Sequence, residues 1–163
     1  MRWSLSWRTD PRARVIADRH YTRQHVGAQD FVPPGRCLVL WCGAAYWVTS
    51  WPYAQYTRHR WRGAWVCSAF RNEGHSLSSD LIHDAVAATR WRFGRPPALG
   101  MVTFVDPTAV RHKRDPGRCF LRAGFIRDGE TQGGLLALRL YAERMPEPIA
   151  PIGAQYDLLP ARQ

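Results

Sequence analysis

A single α/β (α+β) domain is the fold class this sequence predicts, on three observations. The length of 163 residues lies within the one-domain range and is enough to bury about two-thirds of the unfolded surface. An apolar content of 45% with eight tryptophans argues for a packed core, because disordered chains are poor in aromatic residues. Segments with a two-residue apolar period alternate with capped segments of helical spacing. No internal repeat, Gly/Ser linker or charge block divides the chain, so residues 1–145 read as one domain. Residues 146–163 read as an irregular, proline-rich tail.

Each element has its own signal. Arg2 to Trp7 alternates polar residues with Trp3, Leu5 and Trp7, which predicts a half-buried strand. Asp10-Pro11 then opens a helix: Asp10 caps the first amides, Pro11 loses nothing at the first helical position, and the apolar spacing carries the helix to about Gln24. After Val32-Pro33-Pro34-Gly35, the run Cys37 to Trp51 predicts two antiparallel strands turning at Gly43. Ala64 to Phe70 is the next strand. Ser78 or Ser79 caps a helix carrying Leu81, Ile82, Ala85, Val86 and Thr89, which ends before Gly94. Leu99 to Val105 is a buried strand closed by Asp106-Pro107. Asp115-Pro116 opens a short helix that Gly124 ends, and Phe125–Asp128 pairs with Leu135–Tyr141 across Gly133-Gly134.

Composition excludes several classes. The first ten residues carry charge and no apolar run, and nowhere do about eighteen uncharged apolar residues follow one another, so neither a secretion signal nor a membrane span is expected. A cytoplasmic protein follows. Cys37, Cys42, Cys67 and Cys119 form no CxxC pair and lack zinc-finger spacing to histidine, so neither a disulfide framework nor a metal site is predicted. The charge is +10, from 23 basic and 13 acidic residues, and Lys113 is the only lysine. Guanidinium groups grip phosphate bidentately and stack on bases, so this arginine surplus suits nucleic acid as well as it suits a merely solvated basic surface.

The element order, β-α-β-β-β-α-β-α-β-β, resembles the N-acyltransferase-like (GNAT) fold. That fold is a central mixed, twisted sheet with a V-shaped split, flanked by helices. Two motifs strengthen the likeness. Val66 to Phe70 leads into Arg71-Asn72-Glu73-Gly74-His75-Ser76, similar to the GNAT Gln/Arg-x-x-Gly-x-Gly/Ala loop, with Ser76 in place of the last small residue. Arg118 to Phe125 is similar to the short helix that ends in Gly-Phe before the next strand. By this resemblance Arg71, Asn72, Gly74 and Ser76 belong to a donor site at a helix N-terminus. Arg19-His20-Tyr21-Thr22, Phe70-Arg71-Asn72 and Val105-Asp106-Pro107 further resemble phage DNA-modification proteins of the Mom type. That likeness implies transfer of an acyl- or carbamoylmethyl-type group to adenine N6, protection of phage DNA from restriction, and the cytoplasm of an infected or lysogenic bacterium. It carries over His20, Tyr21, Arg71 and Asp106.

Adenine N6 is a weak nucleophile, so the chemistry needs proton removal and stabilisation of developing charge. His20 is suited to take a proton, Tyr21 to donate to an oxyanion or leaving group, and Asp106 to orient His20 or accept a proton. Ser68, on the strand before the loop, is a candidate donor contact. Each has a structural alternative: a core-edge His-Tyr contact, an Asp-Pro turn, an ordinary strand serine. Trp51, Tyr53 and Tyr56 are candidates to stack an extruded base, and Arg58, Arg60 and Arg62, interleaved with His59 and Trp61, to hold phosphates. That run reads equally as a charged edge strand. Arg111, Lys113 and Arg114 form a second basic cluster, or a solvated loop. The competing functions are an acyl-CoA-dependent N-acetyltransferase for a small or protein amine, and a noncatalytic nucleic-acid-binding module. The donor stays open, acyl-CoA and aminoacyl-tRNA among the choices, as do a metal's assistance and the oligomeric state, a homodimer included.

Overall fold

A computed structural model describes residues 1–109 and 115–154. Its elements follow the predicted order: β1 (Ser4–Ser6), α1 (Pro11–Ala17), β2 (Arg36–Trp41), β3 (Ala45–Trp51), β4 (Trp65–Asn72), α2 (Ser78–Phe93), β5 (Met101–Val105), α3 (Arg118–Arg122), β6 (Ile126–Glu130) and β7 (Leu136–Leu140). One seven-stranded sheet results, in the order β1-β2-β3-β4-β5-β7-β6. Every neighbouring pair is antiparallel except β4 and β5, which the α2 crossover makes parallel.

That parallel pair is short. Trp65, Val66 and Cys67 face Met101, Val102 and Thr103, and the pairing ends there. β4 continues to Asn72 against β3 alone, while Phe104 and Val105 pair only with β7. A bulge marks the parting: Val48 faces Ala69 and Thr49 faces Cys67, so Ser68 is the extra residue on β4. An unpaired extra residue bends its strand and increases the local twist, which carries β4 away from β5. The Thr103 hydroxyl donates to the Cys67 carbonyl at 3.1 Å across this last rung.

α2 and α3 cover one face, where Trp3, Leu38, Leu40, Trp47, Trp65 and Met101 meet Leu81, Ile82, Ala85 and Phe120. Two buried polar contacts tie this face together: Trp3 Nε1 donates to the Leu81 carbonyl at 2.8 Å, and Thr49 joins Thr89 at 2.8 Å. On the opposite face α1 packs Ala13, Ile16 and Ala17 on Val39, Tyr46 and Val48. Beside it, Trp61 and Ala64 cover Val66, Val102 and Ala137.

Four expectations are corrected. α1 ends at Ala17 rather than near Gln24, because the Asp18 carboxylate accepts from Arg23 Nε and the Gly27 amide and turns the chain out of the helix. His20 and Tyr21 therefore sit in a turn. α2 is capped by Leu77 without a side-chain bond; Ser78 is its first residue, and its hydroxyl accepts from Asn72 Nδ2 at 3.1 Å. Only Trp3 of the alternating set is buried; Leu5, on the edge strand β1, and Trp7, just beyond its end, are exposed. Residues 52–64 are a connection containing a 3-10 turn, Ala54–Tyr56, and no strand. The proline-rich segment is irregular yet bonded: Ile149 N donates to the Ala87 carbonyl, and Ile152 exchanges backbone bonds with Trp3 and Leu5.

Trp3 ties the edge strand to α2 and has no exposed surface. Trp3→Ala should lower unfolding free energy by roughly 3–5 kcal/mol. Urea denaturation checks this, and an unchanged midpoint would contradict the packing described.

Candidate active site

Where β4 and β5 part, a cleft of roughly 560 Å³ opens. It is lined by Ser68 to Asn72 of β4, Thr103 to Val105 of β5, the His20-Tyr21-Thr22 turn, the first residues of α2, and α3. A volume of this size falls in the range of small-molecule sites. Five residues singled out in the sequence meet here: His20, Tyr21, Ser68, Arg71 and Asn72.

The His20-Tyr21 turn is held by charge. Glu73 receives Nε of Arg19 at 2.8 Å and Nε of Arg71 at 2.7 Å, with a second bond from Arg19 Nη2. Arg71 Nη1 also donates to the Arg19 carbonyl at 2.8 Å. The hydrogen bonds from Arg19 and Arg71 hold the Glu73 carboxyl down at about 2. This clip fastens the turn to the end of β4. Glu73 went unmarked in the sequence, because nothing local to Arg71-Asn72-Glu73 shows that Arg19 folds beside it.

His20 stacks on Tyr21 with ring centres 4.7 Å apart and meets Tyr46 edge-on at 6.3 Å. Its Nδ1 accepts from the Thr22 amide at 3.2 Å and lies 2.7 Å from the Thr22 hydroxyl, so in the neutral ring the proton resides on Nε2. Burial, reinforced by the charge of Arg71, lowers its pKa to about 4, against a weaker opposing hydrogen bond to the Phe70 backbone. At neutral pH the ring is uncharged and a weak base with Nδ1 occupied. The expected proton-accepting role does not fit it, since Nδ1 is held by Thr22 and the protonated side of the ring meets the Phe70 backbone. Burial raises the Tyr21 pKa, so the phenol keeps its proton. Its oxygen accepts from the Asp106 amide at 3.4 Å.

The remaining candidates separate. Ser68 shares a 2.6 Å hydrogen bond with Ser50 behind the cleft wall. The Asp106 carboxylate takes the Thr108 amide and hydroxyl, at 2.8 and 2.7 Å, and caps its own turn, so it meets Tyr21 through its backbone. The Asn72 carboxamide closes the donor loop on itself, accepting from Gly74 N at 2.9 Å and donating to the Ser76 carbonyl at 2.7 Å. Gly74 and Ser76 do not line the cleft. Gly74 is small for another reason: a Cβ there would sit 3.2 Å from Ala44 Cβ, where the Glu73 amide bonds the Ala44 carbonyl. With the amides of residues 73 and 74 engaged, this loop is not the open anion nest the motif implied.

The aromatic candidates lie outside the cleft. Trp51 is packed against Trp65 and Phe93, with Arg36 stacked 4.7 Å above it, at the far end of the strands. Tyr53 and Tyr56 are exposed and meet each other edge-on at 6.4 Å. In the connection that follows, Trp61 points inward and donates to Asp128 at 2.7 Å, while Arg58, Arg60 and Arg62 point outward. Arg60 stacks on Trp61 and bonds the Asp128 carbonyl. His59 packs 4.9 Å from Phe104, a cleft residue, so this basic connection touches the cleft wall from the other face. Arg111, Lys113 and Arg114 lie outside the described residues. None of the four cysteines is in a disulfide; Cys67 and Cys119 are at the cleft, where burial pushes the Cys67 thiol up. Among the described residues no cluster of His, Cys, Asp or Glu is arranged for a metal ion.

The stability contributed by neutral His20 should be complete above its ordinary value of 6.5 and decline as pH falls toward about 4, because only the unfolded ring gains a proton in that window. Imidazole NMR should keep His20 in the neutral Nε2-protonated form at pH 5.5. Half-protonation near 6.5 would place the ring in water instead.

Compared with models of known families, with curated proteins and with solved structures, the chain matches none.

Proposed function

We propose that the chain is a GNAT-like group transferase of the Mom type, which adds a small acyl- or carbamoylmethyl-type group to adenine N6 in DNA. The observation that carries this reading is the convergence of His20, Tyr21, Ser68, Arg71 and Asn72 on one cleft at the parting of two parallel strands. Open sheets place ligands beyond the carboxyl ends of parallel strands, where neighbouring connections diverge.

The chemistry follows from protonation. Tyr21 keeps a phenol proton to donate, suited to stabilise negative charge that develops on the donor as N6 attacks, and the neutral His20 ring stacked on it positions that phenol. As the N6–carbon bond forms, the bond joining the transferred group to the rest of the donor breaks and its leaving atom departs with the electron pair. N6, made acidic by the new bond, releases its proton to that leaving group or to water, so no strong base is required. The surplus of ten positive charges, nearly all guanidinium, supports DNA as the partner. Arg58 and Arg62 have no ionic or hydrogen-bonded side-chain partner among the described residues, and Tyr53 and Tyr56 stand exposed nearby in sequence, as a phosphate-and-base surface needs. A base in a duplex must be extruded to enter such a cleft.

The engaged amides of Glu73 and Gly74 favour this reading over an acyl-CoA acetyltransferase that would seat its pyrophosphate on them. Nucleosides from DNA of expressing cells should contain a heavier deoxyadenosine, and that DNA should resist enzymes whose sites include it. Tyr21→Phe, which deletes a donor at nearly constant volume, should reduce product on the order of a hundredfold at unchanged melting temperature. Deoxyadenosine of normal mass, with acetyl-CoA-dependent acetylation of a free amine, would replace this reading with the acetyltransferase.

A further inference from the structure

The cleft's charge is not balanced. Three arginines line it, Arg71, Arg118 and Arg122, against one carboxylate, Asp115. Arg71 pairs with Glu73, which it shares with Arg19, and Asp115 pairs with Arg127 at 2.7 Å. Arg118 and Arg122 remain: among the described residues neither guanidinium has a hydrogen-bonding or ionic partner. They stand four residues apart on α3, hence on one helical face with Cβ atoms about 5–6 Å apart. Facing the same cleft are Ser78 and Ser79. The Ser78 oxygen accepts from Asn72, which leaves its proton free to donate.

We propose that Arg118 and Arg122, with the Ser78 and Ser79 hydroxyls, form a phosphate-binding site on the α3 wall of the cleft. Two unpaired guanidinium forks on one face can grip one phosphate bidentately or span two, and the hydroxyls supply neutral donors to the remaining oxygens. Neither arginine serves the core, since both side chains are exposed, so their placement in the cleft has no packing purpose. The phosphate belongs to the nucleic-acid backbone beside the target base or to the group donor. Its standing as part of a substrate rests on the group-transfer reading above; its anion chemistry does not.

The test uses the full chain, with folding followed by circular dichroism, and two probes. One is a dye-labelled single-stranded oligonucleotide with one adenine, titrated at several salt concentrations. The other is inorganic pyrophosphate, titrated by calorimetry. In the Arg118→Gln/Arg122→Gln variant a backbone site should reduce the logarithmic salt slope for the oligonucleotide by about 1.4, at roughly 0.7 per phosphate contact on single strands. A donor-phosphate site should instead abolish pyrophosphate binding and leave that slope unchanged. The Arg118→Lys/Arg122→Lys variant keeps the charge and loses the fork, so its slope should be retained while affinity falls. Unchanged binding of both probes by folded glutamine and lysine variants would overturn the proposal, as would failure of the wild type to bind either. Altered binding in the variants with unmodified deoxyadenosine from wild-type cells would keep the phosphate site and remove the transfer reading.

Discussion

Parallel pairing between β4 and β5 lasts for three residue pairs, and the rest of the molecule is arranged around its failure. A sheet of otherwise antiparallel strands has no cavity of its own, because each strand closes on the next. At Ser68 the extra residue shifts β4 against β3 while β5 stays with β7. The two halves of the sheet separate there. Backbone edges, the start of α2 and the side of α3 then meet in one open space. The core supports this from one side: Trp65, Cys67, Met101 and Val105 remain packed under α2 while the strand ends diverge.

The cleft is finished by electrostatics rather than by apolar packing. Asp18 stops α1 and bends the chain, and Glu73 pins the following turn to β4 through Arg19 and Arg71. Exposed ion pairs of this kind contribute little to global stability, so the clip's value lies in position. It buries the His20 ring beside Arg71, and that burial makes the imidazole neutral and weakly basic. Glu73 thus places the turn and, indirectly, shapes its chemistry.

Much of the fold was legible because its signals are local. Gly43, Gly94, Gly124 and Gly134 adopt the positive φ expected where a hairpin turns or a helix ends. Asp10 caps α1 as its place before Pro11 predicts. The candidate site was half legible. His20, Tyr21 and Arg71 reach the cleft, but the length of α1 was misread because Val15, Ile16, His20 and Tyr21 mimic helical spacing. The bond from Arg23 back to Asp18, which ends the helix, has no periodic signature. Asp106 and Gly74 follow the same pattern: residues apt for a site satisfy their own turn or a neighbouring hairpin instead. Arg118 and Arg122 read in sequence only as part of the short helix that ends in Gly-Phe, and the fold turns them to the cleft.

Two exposed basic features lie near the cleft: the arginines of α3, which line it, and the Arg58–Arg62 connection, which backs onto Phe104 from the other face. On the proposed function, nucleic acid held by the arginines of α3 would bring a base to the parting of β4 and β5. Backbone amide NMR with a single-stranded oligonucleotide containing one adenine tests this most directly. The account predicts the largest shift changes at Ser68 to Asn72 and at Tyr21, which replacement of the adenine by an abasic site removes. Changes confined to residues 53–62, indifferent to the adenine, would contradict it and make the protein a binding module without a reaction cleft.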